Sequence, residues 1–329
     1  MSELPFVSVV VCTRNRAQIL AQSSEALLAL DYPPGRWEVL IVDNGSTDDT
    51  LEVAQGIARS RPELVRVIEE RELGLSASRN AGVRQARGEI IAFADDDSFP
   101  EAAWLRALVE VLAGETDALV VGGPVEPWIQ GELPPWFGDR YMAFLTAWDK
   151  GPELQQLTYN DYPRGANIAF RREVFERFGS FSTDLGYKGN SLVSCDEIEI
   201  CLRVERGGGR IFYVPGARVR HLTGADRVTP LWLARRFEGQ AQSEAILDWQ
   251  HAGWSGLRQG WRWFARHAWS AVRQRRVPPD GTIFARCWRH ALWGYSLGLL
   301  RAPLTIARYR PPHGESAEWL PYQRGAAGR

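Results

Sequence analysis

Lysine is nearly absent from this chain: Lys150 and Lys188 are the only two among 39 basic residues, so almost all the positive charge is guanidinium. The four cysteines, Cys12, Cys195, Cys201 and Cys287, have neither paired metal-ligand spacing nor disulfide-like density, which predicts a reduced, cytoplasmic setting. No apolar run reaches the roughly 20 residues that cross a bilayer. The opening Met-Ser-Glu-Leu-Pro lacks the basic and apolar regions of a signal peptide. A net charge of -1 argues against a nucleic-acid partner. What the chain does have, in 329 residues that are 45% hydrophobic, is enough apolar material for one large domain or two. Charge is unevenly spread, since from His251 to Arg310 eleven arginines accompany the single acid Asp280.

The first half alternates between strand and helix patterns. Apolar runs at Phe6–Cys12, Glu38–Val42, Val65–Ile68 and Ile90–Ala94 predict buried strands, with helices between them reaching Leu30, Arg59 and Arg87. Ser46 with Asp49 resembles a capping box. This order predicts parallel strands with right-handed crossovers and functional loops at the strands' carboxyl ends, where Thr13, Asp43 and Asp95 all fall. Asp95, Asp96 and Asp97 are consecutive there, and adjacent carboxylates repel one another unless a cation sits among them. A divalent metal with a phosphate-bearing substrate is one reading. The other is a solvated turn entering a helix, with Ser98 as N-cap and Pro100 in its first turn. Further helices are predicted over Glu101–Ala113, Arg172–Phe178 and Cys195–Arg206, and strands over Ala118–Gly122 and Ile211–Val214. The Pro-, Gly- and Trp-rich stretch Pro124–Pro163 reads as a long loop.

Five motifs in order carry a resemblance: Val7-Ser8-Val9-Val10-Val11-Cys12-Thr13-Arg14-Asn15-Arg16, Val42-Asp43-Asn44-Gly45-Ser46-Thr47-Asp48, Gly74-Leu75-Ser76-Ala77-Ser78-Arg79-Asn80, the aspartate triplet, and Cys195-Asp196-Glu197-Ile198-Glu199. Over about its first 220 residues the chain resembles a family 2 glycosyltransferase of the GT-A fold. That implies a Rossmann-like, mixed but mainly parallel sheet flanked by helices, and an inverting transfer from a nucleotide-sugar donor to a glycan or lipid-linked acceptor. It implies nucleotide binding by Thr13, Arg14, Asp43, Arg79, Asp95 and Asp96. A carboxylate at Asp43 suits a ring N–H of uracil or thymine, hence a UDP- or dTDP-sugar. Asp95 and Asp97 match the family's DxD acids and His221 a metal-ligating position, for Mn2+ or Mg2+; Asp96 reads as structural. The catalytic base falls to Glu197, with Asp196 as the other choice, because the pair here is Asp-Glu where the family usually has Glu-Asp. Trp136, Asn167 and Lys188 are candidates for the acceptor or donor-sugar site.

The expected organisation is a catalytic domain over 1–225, with its nucleotide half to about 123, then an Arg/Trp-rich helical extension over 226–310 and a tail over 311–329. Thr229-Pro230 reads as N-cap and first residue of a helix to about Trp249. Beyond it tryptophan and arginine interleave, which suits helices lying on an anionic membrane surface at the cytoplasmic face; packing or dimerisation is the alternative. Two other functions compete. Ile90–Ser98 approximates the haloacid dehalogenase phosphatase pattern, with Lys188 as its partner lysine, and a non-catalytic sugar-nucleotide-binding module would keep the same motifs.

Overall fold

The computed structural model describes residues 4–114, 117–159, 161–275 and 280–302. The expected tail over 311–329, with Arg308 and Arg310, lies outside them. Contacts divide the chain into two compact units. One comprises the chain up to Trp128 with Thr146–Phe181 and Ile200–Leu222; the other comprises Ile129–Leu145, Ser182–Glu199 and the chain from Thr223.

The first unit opens with the predicted alternation: β1 (Val7–Thr13), α1 (Ala17–Leu28), β2 (Trp37–Asp43), α2 (Thr50–Ser60), β3 (Val65–Glu69), α3 (Leu75–Gln85) and β4 (Ile90–Asp95). β5 (Ser98–Pro100), α4 (Trp104–Gly114), β6 (Ala118–Gly122), β7 (Val125–Ile129), β8 (Gln155–Leu157), β9 (Asn167–Arg171), α5 (Glu173–Phe178), α6 (Asp196–Arg206), β10 (Arg210–Tyr213) and β11 (Val219–Thr223) follow. Eight strands form one sheet in the order β3-β2-β1-β4-β9-β6-β10-β8, and β5-β11-β7 form a second. β1 runs parallel to β2 and β4, while β9 is antiparallel to both β4 and β6, so the large sheet is mixed but mainly parallel. β1 and β2 are apolar without alternation because helices cover both faces. Inside these runs Ser8 and Glu38 depart from the pattern and meet each other: Glu38 is buried and satisfied by Ser8 Oγ at 2.8 Å, Arg66 Nη1 at 2.9 Å and the Arg87 amide at 2.9 Å. α3 comes so close to β1 that a Cβ on Gly82 would lie 2.4 Å from Val10 Cγ1, and only glycine fits there.

Three local expectations fail. Ser46 does not cap α2: its hydroxyl accepts from the Asn15 amide at 3.0 Å, and the Thr50 amide, at the helix start, donates to Asp48 Oδ1 at 3.0 Å. Ser98 and Pro100 do not open a helix, since β5 pairs antiparallel with β11, bringing Ser98 opposite His221. The stretch Pro124–Pro163 is not one loop: it holds β7, a 3-10 helix over Asp139–Leu145, and β8.

The second unit is built on α7 (Pro230–Arg273) and α8 (Gly281–Arg301). Thr229 Oγ1 accepts from the Trp232 amide at 3.2 Å and Pro230 takes the first helical position, as predicted. α7 breaks at Gly253, whose φ of 57° and ψ of -142° lie outside the helical region. It then doubles back: a Cβ on Gly260 would fall 2.3 Å from Asp248 Oδ2, whereas twelve residues of unbroken helix span about 18 Å. Tyr295 of α8 donates its hydroxyl to the buried Asp248. The helices share one apolar core with Phe137, Tyr141, Leu145, Leu185 and Val193, all of which precede both helices in the chain.

Candidate active site

The first unit gathers its polar residues at the carboxyl ends of three adjacent strands, where parallel pairing sets Thr13 opposite Asp43 and Cys12 opposite Asp95. The turns leaving β1 and β2 are laced together: Asn15 Oδ1 accepts from the Thr47 amide at 2.7 Å, and the Arg16 amide donates to Thr50 Oγ1 at 2.7 Å. Asp43 is 3% exposed. Its Oδ2 accepts from the Ser46 amide at 3.1 Å, while its Oδ1 is buried with no hydrogen-bond partner among the described residues. A buried carboxylate oxygen in that state is a waiting acceptor. Asn44 is structural, its amide donating to the Glu70 and Glu72 carbonyls and accepting from the Gly74 amide.

The three aspartates part company. Asp95, one-third exposed, lies 3.5 Å from Arg79 Nη2 and 3.7 Å from His221 Nε2. Asp96 turns inward: Thr13 Oγ1 donates to its Oδ2 at 2.7 Å, Arg16 Nη1 sits 3.2 Å from its Oδ1, and Ser23 Oγ donates to its carbonyl at 2.6 Å. Burial pushes the Asp96 carboxyl up to about 7, against the pull of Arg16, and Asp97 adds to the rise. Thr13 and Asp96, both expected at the nucleotide, therefore spend these contacts on each other. Asp97 is 1% exposed, with His221 Nε2 2.9 Å from its Oδ1 and Arg16 Nη2 2.6 Å from its Oδ2. For the His221 imidazole burial opposes charge, but Asp97 and Asp95 outweigh it and raise the ring to about 9.

Asp95, Asp97 and His221 each offer a ligand atom within 4.8 Å of the other two. Two carboxylates and one imidazole suit a divalent ion that accepts oxygen and nitrogen together. β4 supplies the first, the turn into β5 the second and β11 the third, and the β5–β11 pairing keeps them together: the Leu222 amide donates to the Asp97 carbonyl at 2.8 Å. Arg79 is no surface arginine. It is 3% exposed, its guanidinium 5.9 Å from the Phe93 ring centre and 5.7 Å from that of Phe181, and a Cβ on Gly165 would fall 2.4 Å from its Nη2. Arg14 Nε is buried without a hydrogen-bond partner among the described residues.

Asn167 does not serve a sugar site. It is fully buried, its Oδ1 accepts from Trp104 Nε1 at 2.7 Å, and its Nδ2 donates to the Pro124 and Ala217 carbonyls at 3.0 and 2.7 Å. Its side chain has no donor left to offer. Trp136 and Lys188 belong to the second unit: Trp136 packs against Phe137 and Tyr141, and Lys188 is exposed on a turn where the Ser191 amide donates to its carbonyl.

The acidic pair also starts in the second unit, at the first turn of α6. Asp196 is 1% exposed and Glu197 half-buried. Glu199, in the same first turn, lies 3.1 Å from Nε2 of the buried His251, so the third acid is engaged by α7. Cys195, just before the pair, holds a φ of 72°, a left-handed value uncommon for a residue with a Cβ, and burial pushes its thiol up to about 12. Two participants escaped the sequence reading. Arg16 stands in a quoted motif, but nothing local shows a contact with acids eighty residues away; His251 carries no motif at all.

The Glycosyl transferase family 2 model matches residues 8–179. The chain is 31% identical over 246 residues to the glucosyl-dolichyl phosphate glucuronosyltransferase of Haloferax volcanii, covering 74% of this chain and 77% of that one. It is 34% identical over 185 residues to glycosyltransferase AglE of the same organism, covering 56% and 58%. Among solved structures, mannosyltransferase PcManGT from Pyrobaculum calidifontis, in complex with GDP-Man and Mn2+, superposes with a TM-score of 0.57 at 22% identity, over 93% of this chain and 77% of that chain. The architecture is that of a GT-A glycosyltransferase, mixed sheet flanked by helices with a helical carboxyl-terminal region. With half the chain under the family model and a relative above 30% identity along most of both lengths, the protein belongs to glycosyl transferase family 2 and is a glycosyltransferase.

Proposed function

We propose that the enzyme moves a sugar, with inversion, from a UDP- or dTDP-sugar to a hydroxyl of a glycan or lipid-linked acceptor, using a divalent metal and a carboxylate base. The observation that carries this reading is the Asp95–Asp97–His221 trio, with Asp97 and His221 buried, at the sheet edge that also holds Asp43 with its unused oxygen. Asp43 Oδ1 would accept the ring N–H of the base. Asp95, Asp97 and His221 would hold Mn2+ or Mg2+, which when bound supplies positive charge against the leaving diphosphate. Glu197, more accessible than Asp196, would take the proton of the acceptor hydroxyl as its oxygen attacks the anomeric carbon and the bond from that carbon to the diphosphate oxygen breaks. A single displacement requires no covalent nucleophile. A relative named for glucosyl-dolichyl phosphate favours a lipid-linked acceptor, and a structural neighbour holding GDP-Man with Mn2+ favours a nucleotide-sugar donor with a divalent metal; the choice of uracil or thymine rests on Asp43 alone. Family membership favours neither the phosphatase nor the non-catalytic module.

The donor is identified by thermal stabilisation across a panel of nucleotide sugars with Mn2+. A ligand at a hundred-fold excess over its Kd stabilises the folded state by about 2.7 kcal/mol. UDP- or dTDP-sugars are expected to raise Tm in the presence of Mn2+ and not after chelation. A panel in which only guanosine or adenosine donors act would overturn the assignment of the base.

No helix among the described residues is long and apolar enough to cross a membrane. The second unit nonetheless exposes Trp254 and Trp269 at 63% each and Trp293 at 60%. Along the second half of α7, Trp254, Arg258, Trp261, Arg262 and Trp269 fall within about 100° of arc at 3.6 residues per turn. Interleaved indole and guanidinium groups suit an anionic headgroup layer, and we infer peripheral attachment at the cytoplasmic face. Removing the helices would strip the core they share with 129–145 and 182–199, so point changes are the sounder test. The triple variant Trp254→Ser, Trp269→Ser, Trp293→Ser is expected to bind vesicles containing phosphatidylserine about ten-fold more weakly while keeping its donor-induced Tm shift. Unchanged vesicle binding, or a dimer that the three changes dissociate, would point to packing between copies instead.

A further inference from the structure

Of the two Asp97 oxygens, Oδ2 accepts from Arg16 at 2.6 Å, while Oδ1 lies 2.9 Å from His221 Nε2 and forms no hydrogen bond among the described residues. His221 belongs to the trio whose atoms converge to ligate a cation. Arg16 does not: a guanidinium has no lone pair to offer a metal, and its positive charge opposes one. A cation that takes both oxygens of Asp97, or Oδ2 alone, has to displace Arg16, whereas one held by Oδ1 alone leaves it in place. The side chain is free to go, being 29% exposed while its partners Asp96 and Asp97 are 6% and 1% exposed. Its backbone is held apart from that movement by the hydrogen bond from the Arg16 amide to Thr50 Oγ1 at 2.7 Å. The planar fork of arginine matches phosphate oxygens as well as it matches carboxylate.

From this arrangement we propose that Arg16 is a charge exchanger: it neutralises Asp96 and Asp97 before a metal arrives, yields Asp97 to the metal, and turns its guanidinium to the donor's diphosphate. The idea rests on the metal and donor reading above and deepens it. Metal alone competes with Arg16, whereas metal followed by a nucleoside diphosphate finds Arg16 released to bind it. Arg16 thus couples the two ligands, and the coupling is reciprocal. Asp96, which keeps its Thr13 hydrogen bond throughout, is the fixed post from which the guanidinium swings.

The test measures Mn2+ affinity from the paramagnetic resonance of the free ion, for wild type, Arg16→Gln, Arg16→Lys and Asp97→Asn, with melting curves establishing that each is folded. UDP and GDP are then titrated at saturating Mn2+. Arg16→Gln is expected to bind Mn2+ alone about ten-fold more tightly than wild type, and the nucleoside diphosphate about ten-fold more weakly, with Arg16→Lys between them. A residue with a merely structural role would not tighten metal binding when removed. Mn2+ affinity unchanged or weakened in Arg16→Gln overturns the exchange. Failure of the underlying reading looks different: Asp97→Asn would then bind Mn2+ as well as wild type, or neither diphosphate would bind wild type, and the exchange would fall with it.

Discussion

Asp97→Asn is expected to lower transfer by about 10^3-fold or more, on the scale seen when one preorganised charge partner is removed from an active site, and to abolish the Mn2+ dependence of donor binding. The side chains are nearly isosteric, so packing is kept and charge is what changes. In the native site each Asp97 oxygen lies close to a basic nitrogen, Oδ1 2.9 Å from His221 Nε2 and Oδ2 2.6 Å from Arg16 Nη2. An amide offers one oxygen and one NH2 group, so one of those nitrogens would meet another donor across a buried contact. Breaking a buried ion pair by removing one partner costs on the order of 3–5 kcal/mol. Melting curves are therefore needed beside the kinetics, because a destabilised enzyme also loses activity. The discriminating measurement is donor binding with and without metal on folded protein. A variant that still shows a metal-dependent Tm shift with its donor would remove Asp97 from the proposed ligand set. The same experiment on Asp96→Asn should leave metal dependence in place, since Asp96 is committed to Thr13 and Arg16.

The strands and helices of the first half were legible because their apolar runs are short, uniform and bounded by turn residues, the pattern of a sheet covered on both faces. Thr13, Asp43 and Asp95 could be placed at one sheet edge for the same reason, since parallel strands bring their carboxyl ends together whatever the helices between them do. What escaped depends on contacts distant in sequence. Asn167 looks like a polar residue next to a strand until Pro124 and Ala217 are seen to take both its donors and Trp104 to bond its oxygen. Ser98 and Pro100 carry a sound helix-entry signal, overridden by pairing with a strand 120 residues downstream. The linear division into catalytic domain and extension has the same weakness: Phe137, Tyr141 and Val193 pack with helices that begin after Thr229. Arg140 and Tyr141 even bond to Asp280 at the start of α8, a lone acid in a basic stretch whose role only the fold explains.

Glu197→Gln is expected to lower turnover by about 10^3-fold, within the range of a positioned general base, while leaving the metal-dependent donor Tm shift intact. The assignment has to be made against two neighbours on the same helical turn. Glu199 is the easiest to set aside, because its carboxylate already lies 3.1 Å from Nε2 of the buried His251. Asp196 is 1% exposed and Glu197 half-buried, and a base that must reach a bulky acceptor hydroxyl needs the more accessible position. Both acids sit in the first turn of α6. The amide of glutamine keeps the shape and cannot take the proton, so binding and chemistry separate cleanly in this variant. Asp196→Asn is its necessary partner. Should Glu197→Gln turn over normally while Asp196→Asn does not, the base is Asp196, and the Asp-Glu order has kept the first acid's chemistry where the family's usual Glu-Asp order keeps the second's. Should both turn over normally, proton removal does not lie in this pair, and the left-handed turn at Cys195 would be shaping the backbone for some other purpose.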